Sequence, residues 1–165
     1  MKKLFSILLL SVGVFFSKAS MAQNVLLNIL SQNSGIVKKG QTLFIQVNIN
    51  NTDPKNHIGV YKIRTQINVP QGLVRIEEKG HVLPTGWTIS NNNGGTINLS
   101  NGKDMIAAND GRVILIAIKG IKVGGPETIT GQLTFADGNP PGTATGTLKG
   151  DLAADNFSST TCQVK

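Results

Sequence analysis

The chain has 165 residues, of which 15% are charged, 5% are aromatic and 19 are Gly, with a formal net charge of +7. So few charges exclude a helical protein with Glu-, Lys- and Arg-rich outer faces and point to an all-β chain. Three of the surplus positive charges are Lys2, Lys3 and Lys18, and no basic run carries interleaved aromatics, so nucleic acid is not an expected partner.

Met1 to Ala22 opens with Lys2 and Lys3, continues through an apolar run from Leu4 to Phe16, and ends in small residues at Ser20 and Ala22 around Met21. That order is the tripartite pattern of a secretory signal peptide, with cleavage expected between Ala22 and Gln23. The run is shorter than the roughly 20 apolar residues that span a membrane. Residues 1–22 are therefore read as a signal peptide and 23–165 as one domain without a transmembrane segment. The expected location is secreted or cell-surface, with the periplasm as a further compartment. Cys162 is the sole cysteine, so no internal disulfide can form. Its alternatives are a buried small apolar residue, a free thiol, or an intermolecular disulfide.

Val25, Leu27 and Ile29 alternate with polar or outward positions and suggest a first strand. Ser31 to Gly40 is rich in turn formers. Thr42 to Asn51 then places Leu43, Ile45, Val47 and Ile49 on one face and Gln46, Asn48 and Asn50 on the other, the period of a half-buried strand. Burying those four aliphatic side chains contributes roughly 6 to 12 kcal/mol before chain entropy. Val60 to Val69 shows the same alternation, with Tyr61, Ile63, Thr65, Ile67 and Val69 expected inward. Leu73 to Glu77, Gly86 to Ser90 and Thr96 to Ser100 are shorter candidates, the last two joined across an Asn-Gly hairpin signal at Asn91 to Gly95. Arg112 to Val123 is the longest apolar run. Its phase changes at Lys119 and Gly120, which suggests a β-bulge. Gly124, Gly125 and Pro126 read as a turn into Thr128 to Phe135. A loop follows at Asp137 to Gly142, then a strand at Thr143 to Leu148 and a closing strand at Phe157 to Val164, which puts Cys162 in phase with Val164. Strands at this spacing, separated by turn chemistry, indicate a two-sheet antiparallel sandwich of about seven to nine strands.

Several residues fall in one family's order: Asn50, Asn51 and Thr52 at a strand end, Val69 to Leu73, Gly86 and Trp87, Gly111 before the long strand, and Ala154, Asp155 and Asn156 before the last one. In this the chain resembles the "conserved repeat domain" of bacterial surface proteins. The resemblance covers most of residues 23–165 and implies an immunoglobulin-like β-sandwich without assigned catalysis, serving as a spacer or adhesion module. That family occurs in tandem copies, whereas these 165 residues carry one. The general shape is also similar to cohesin and carbohydrate-binding sandwiches.

No nucleophile and base can be paired from the sequence, so an enzyme is not expected. His57 and His81 lack neighbours at metal-ligand spacing, and adjacent Glu77 and Glu78 would point to opposite faces of a strand. Asp104, Asp110, Asp137, Asp151 and Asp155 all fall in loops, which would allow calcium held with backbone carbonyls, but no Asp-x-Asp-x-Asp-Gly loop exists. No other cofactor is expected. Trp87 either fills the core between the sheets or lies exposed, where it could stack on a sugar ring. The reading that follows is an exported, non-catalytic interaction or adhesion module whose partner is a protein or polysaccharide at the cell surface. The alternative is a secreted carbohydrate-binding module that uses Trp87.

Overall fold

The computed structural model describes residues 24–136 and 151–165. Among them are ten strands: β1 (Val25–Ser31), β2 (Ile36–Val37), β3 (Thr42–Asn51), β4 (Ile63–Asn68), β5 (Val74–Ile76), β6 (Thr88–Asn92), β7 (Thr96–Ser100), β8 (Gly111–Gly120), β9 (Gly124–Phe135) and β10 (Phe157–Val164). They form a four-stranded sheet in the order β1-β3-β8-β5 and a six-stranded sheet in the order β2-β10-β9-β4-β7-β6. Alternation places them there. Leu27, Ile45, Ile49, Ile114 and Ile116 from the first sheet meet Ile63, Ile67, Ile97, Ile129 and Leu133 from the second, and all are buried. Gly131 permits the close approach at the centre, because a Cβ there would lie 2.0 Å from Ile29 Cδ1 and 3.0 Å from Ile67 Cδ1. The all-β, two-sheet architecture is as the sequence predicts.

The details differ in five places. The count exceeds the expected seven to nine because β2, hidden in the turn-rich Ser31 to Gly40, adds two residues parallel to β10 in a sandwich otherwise paired antiparallel. The second long strand starts at Ile63, not Val60. Tyr61 has a positive φ of 58° and its side chain is 37% exposed, so it turns the chain instead of entering the core. The apolar run after Arg112 contains no bulge at Gly120: β8 stops there, the amides of Ile121 and Lys122 both donate to Leu73 O, and Ile121 and Val123 are exposed. The expected turn at Gly124 to Pro126 is the start of β9, where two residues, Gly125 and Pro126, stand opposite Gln163 alone, so the bulge lies here instead. The hairpin between β6 and β7 is centred on Gly94 and Gly95. Only Gly94 has positive φ, and Asn92 and Asn93 act through side chains that accept the amides of Gly94, Gly95 and Thr96. The strand expected at Thr143 to Leu148 and the loop from Asp137 to Gly142 lie outside the described residues.

Candidate interaction surfaces

The polar residues at one end of the sandwich hold loops together. Asn51, at the end of β3, donates through Nδ2 to the carbonyls of Asn56 and Ala107 at 2.7 and 2.9 Å. Asn101, fully buried after β7, accepts the Ile63 amide at 3.0 Å and donates to Gly59 O and Asp104 O at 2.9 and 2.7 Å. Asp53 accepts the Asn56 side-chain amide and the backbone amides of Lys55 and Asn56, which together hold its carboxyl below the ordinary range. A carboxylate so satisfied is a cap for a turn, with little left to offer a ligand.

Trp87 belongs to this end. It is 6% exposed, lies in the core cluster, and its indole N–H donates to Asp104 Oδ2 at 2.7 Å. Arg112 Nε donates to the same oxygen at 2.7 Å and Arg112 Nη1 to Asp110 Oδ2 at 2.6 Å. These contacts with Asp104 first, and Asp110 second, raise the Arg112 pKa, while the guanidinium and the Gly111 amide hold Asp110 below its ordinary value. Trp87 therefore takes the core position of the two that the sequence leaves open. A ring enclosed to this degree offers little free face for a sugar to stack on.

Cys162 is 1% exposed on the inward face of β10, and burial pushes its thiol up to about 11, with the charge of Glu127 adding to the rise. A thiol enclosed to this degree cannot reach a second chain while the fold is intact, so the intermolecular disulfide has no route. Asp151 serves structure too: it accepts the Val25 amide at 2.9 Å and the side-chain amide of Asn156. Among the described residues no group of three or more His, Cys, Asp or Glu is placed to hold a metal ion. Of the loop aspartates read as calcium candidates, Asp137 lies outside those residues.

His81 has a role that only the folded chain reveals. β5 pairs with β8 as far as Ile118, the Glu77 amide donates to Ala117 O at 3.0 Å, and the chain then bulges out through Glu78 to Gly80. His81 Nδ1 accepts the Ala117 amide at 3.1 Å, after which Val82 and Leu115 exchange two backbone hydrogen bonds of 2.9 Å. An imidazole thus stands in for the missing ladder carbonyl. Burial lowers its pKa, and the carbonyl and charge of Glu77 oppose that by less.

Two exteriors remain for contact with partners. On the outward face of the four-stranded sheet, the register aligns Leu30, Gln46, Leu115 and Val82 in one row and Asn28, Asn48 and Val113 in the next, with Leu26 beside Asn50. Leu30, Val113 and Val82 are 49, 54 and 54% exposed. Gln46 Nε2 donates to Asn48 Oδ1 at 2.9 Å, which turns these amides toward each other along the strand. No charged side chain interrupts the outward positions from Leu26 to Leu30, Phe44 to Asn50 and Gly111 to Ala117. The six-stranded sheet presents a more polar face: exposed Phe157, Gln132, Gln66 and Asn98 form one outward row and Ser159, Thr130, Asn68 and Thr96 another. Beside both sheets, an open groove of about 830 Å³ lies between β5 and the β6–β7 hairpin and is lined by Arg75, Glu77, Glu78, Lys79, Asn92 and Asn93.

Fold and surfaces together define an immunoglobulin-like β-sandwich module. No protein-family model and no curated protein matches the chain. It is similar in structure to a cohesin module of a family 33 glycoside hydrolase from Clostridium perfringens, with a TM-score of 0.54 at 15% identity over 86% of this chain and 98% of that one. It is similar also to a type III cohesin module from the ScaE cell-surface anchoring scaffoldin of Ruminococcus flavefaciens, with a TM-score of 0.50 at 8% identity over 89% and 91%. The backbone protein of the group B streptococcus pilus 2b gives a TM-score of 0.52 at 12% identity over 82% of this chain and 56% of that one. At these identities the likeness is one of fold.

Proposed function

We propose that this chain is an exported, non-catalytic interaction module that binds a protein through the outward face of its four-stranded sheet. The observation that carries the reading is the uncharged patch in which exposed Leu30, Val82 and Val113 and half-buried Leu115 lie among the amides of Gln46 and Asn48. Such a patch facing water is the signature of a surface that spends part of its life covered. A protein suits it better than a polysaccharide, because its contacts are aliphatic and the one Trp lies inside. Asn24, just beyond the proposed cleavage after Ala22, is already tied into the fold: its backbone O accepts the Thr52 amide at 2.9 Å and its Oδ1 the Leu152 amide at 3.2 Å. Removal of residues 1–22 would thus leave the domain's first contacts in place. Cohesin and pilus backbone neighbours, themselves parts of surface or secreted assemblies, support the extracellular setting.

The test is a photo-crosslinking amino acid placed at Val113 and, as a control, at Asn98 on the opposite face, in the protein exported from its native cell. A discrete protein adduct at Val113 and none at Asn98 is expected. Equal labelling at both positions, or none at Val113, would remove the assignment.

A further inference from the structure

Glu77 to Leu83 form a strap that continues the line of β5 along β8. Ile76 before it and Trp87 after it are buried, whereas Glu78, Lys79, Gly80 and Val82 are exposed and Leu83 is partly buried against the core. With so little apolar surface covered, the strap depends on its hydrogen bonds to β8. These come in chain order: Glu77 N to Ala117 O, Ala117 N to His81 Nδ1, and the reciprocal pair between Val82 and Leu115. Gly80, at a φ of 88°, lets the chain bulge and return between the first and the second. His81 thus supplies a side-chain link in a run of backbone ones, and the link after it holds Val82 at the end of the apolar patch.

A carbonyl accepts at any ordinary pH, but an imidazole does not. With Nδ1 as acceptor, the neutral ring carries its hydrogen on Nε2. A proton taken from water onto Nδ1 turns that acceptor into a donor, and the ring then meets the Ala117 N–H with an N–H of its own. Burial favours the neutral ring, and the carbonyl and charge of Glu77 oppose it by less. Glu78 and Lys79 lie in the exposed bulge, Lys119 of β8 stands opposite Arg75 of β5, and β3 brings the uncharged Phe44 opposite Ala117. We propose that His81 is an acid-released latch: protonation lifts the strap, draws Val82 away from Leu115 and so trims the face through which the module binds, while the sandwich stays folded. Opening is local because β8 keeps its pairing with β3 from Thr42 to Asn50 and β5 keeps Val74 and Ile76 in the core. The gating of binding rests on the face proposed above, and the movement of the strap does not.

The test follows the whole exported protein between pH 7 and pH 5 with two readouts. Amide protection at Val82 and Leu115, taken against the intrinsic rate at each pH, should fall by about threefold or more, while that of the β3 amides bonded to β8 holds. The adduct from the photo-crosslinker at Val113 should fall by about twofold or more over the same range. His81→Asn keeps a neutral acceptor and should flatten both profiles. Protection at Val82 and Leu115 that stays constant in the wild type overturns the inference, as does a loss that His81→Asn leaves intact, which would place the titrating group elsewhere. A strap that opens while the adduct persists overturns the gating. An adduct missing already at pH 7 refutes the binding face and the gating with it, and amide protection still decides the strap. Should His81→Asn fail to fold, an NMR titration of the wild-type His81 ring replaces it: a midpoint that does not coincide with the loss of protection overturns the latch.

Discussion

Asn101 shows how a single side chain can organise an end of the sandwich. It closes the start of β4 through the Ile63 amide and pins two carbonyls of neighbouring loops, all in a fully buried position. Asn101→Ala would orphan three backbone groups at ~1 to 3 kcal/mol apiece, partly recovered by relaxation, so a loss of about 2 to 4 kcal/mol in urea unfolding is expected. Thr65 presents the opposite case. It is buried on the inner face of β4 opposite Leu99 and Leu133, and its hydroxyl has no hydrogen-bond partner among the described residues. Thr65→Val exchanges a desolvated hydroxyl for a methyl of similar size and should stabilise by about 1 kcal/mol, read as a raised melting temperature. Neither role could be seen in the sequence: Thr65 sits in an apolar alternation, and Asn101 reads as an ordinary loop residue after a strand. Their significance comes from partners far along the chain.

At the scale of elements, the strap from Glu77 to Leu83 gives the molecule a pH dependence. His81 is neutral while Nδ1 accepts the Ala117 amide, and burial holds its pKa below the ordinary 6.5. A folded value below the unfolded one means that stability is complete above about pH 6.5 and declines as pH falls through the lowered folded value. Protonation at Nδ1 sets one N–H against another, and the ladder between Glu77 and Val82 opens. Burial is the larger cause, and the carbonyl and charge of Glu77 on the strap oppose it by favouring the cation. The protection of the Ala117 amide, relative to its intrinsic exchange rate at each pH, should fall as pH drops from 7 to 5, and His81→Asn, which keeps a neutral acceptor, should abolish that loss. Strands were legible where alternation coincided with burial, as in β3 and β7, and the bounds of these two and of β10 match the sequence reading. Alternation misled where it ran past a tertiary boundary. Tyr61 continues the period of β4, yet its amide donates to Gly102 O at 2.7 Å and its φ is positive, so the chain turns there. Ile121 and Val123 look like a strand in a new phase because they are aliphatic, but the amides of Ile121 and Lys122 turn onto Leu73 O and both aliphatic side chains are exposed.

At the scale of the whole molecule, several buried or paired polar groups that the sequence offered for chemistry are, among the described residues, occupied in holding the fold. Trp87, Asp104, Asp110 and Arg112 brace one end, and Cys162 fills the core. Export is the reading proposed for residues 1–22, and on it amino-terminal sequencing of protein recovered outside the cytoplasm should begin at Gln23; an intact Met1 in that fraction would contradict cleavage. The sandwich itself was legible because its two rows of aliphatic residues recur along the chain. The face proposed for binding was not, because an outward Leu or Val in one strand carries meaning only when the register sets it beside others.

The most direct measurement combines stability with capture. Leu30→Lys and Val113→Lys are introduced together, and the melting temperature and the adduct formed from a photo-crosslinker at Leu26 on the same face are both recorded. Because these side chains face water, melting should shift by only a few degrees, while the adduct disappears. A collapse in melting temperature would show that the row is core, and an undiminished adduct would show that the partner binds elsewhere; either result contradicts a stable sandwich that works through the face of its four-stranded sheet.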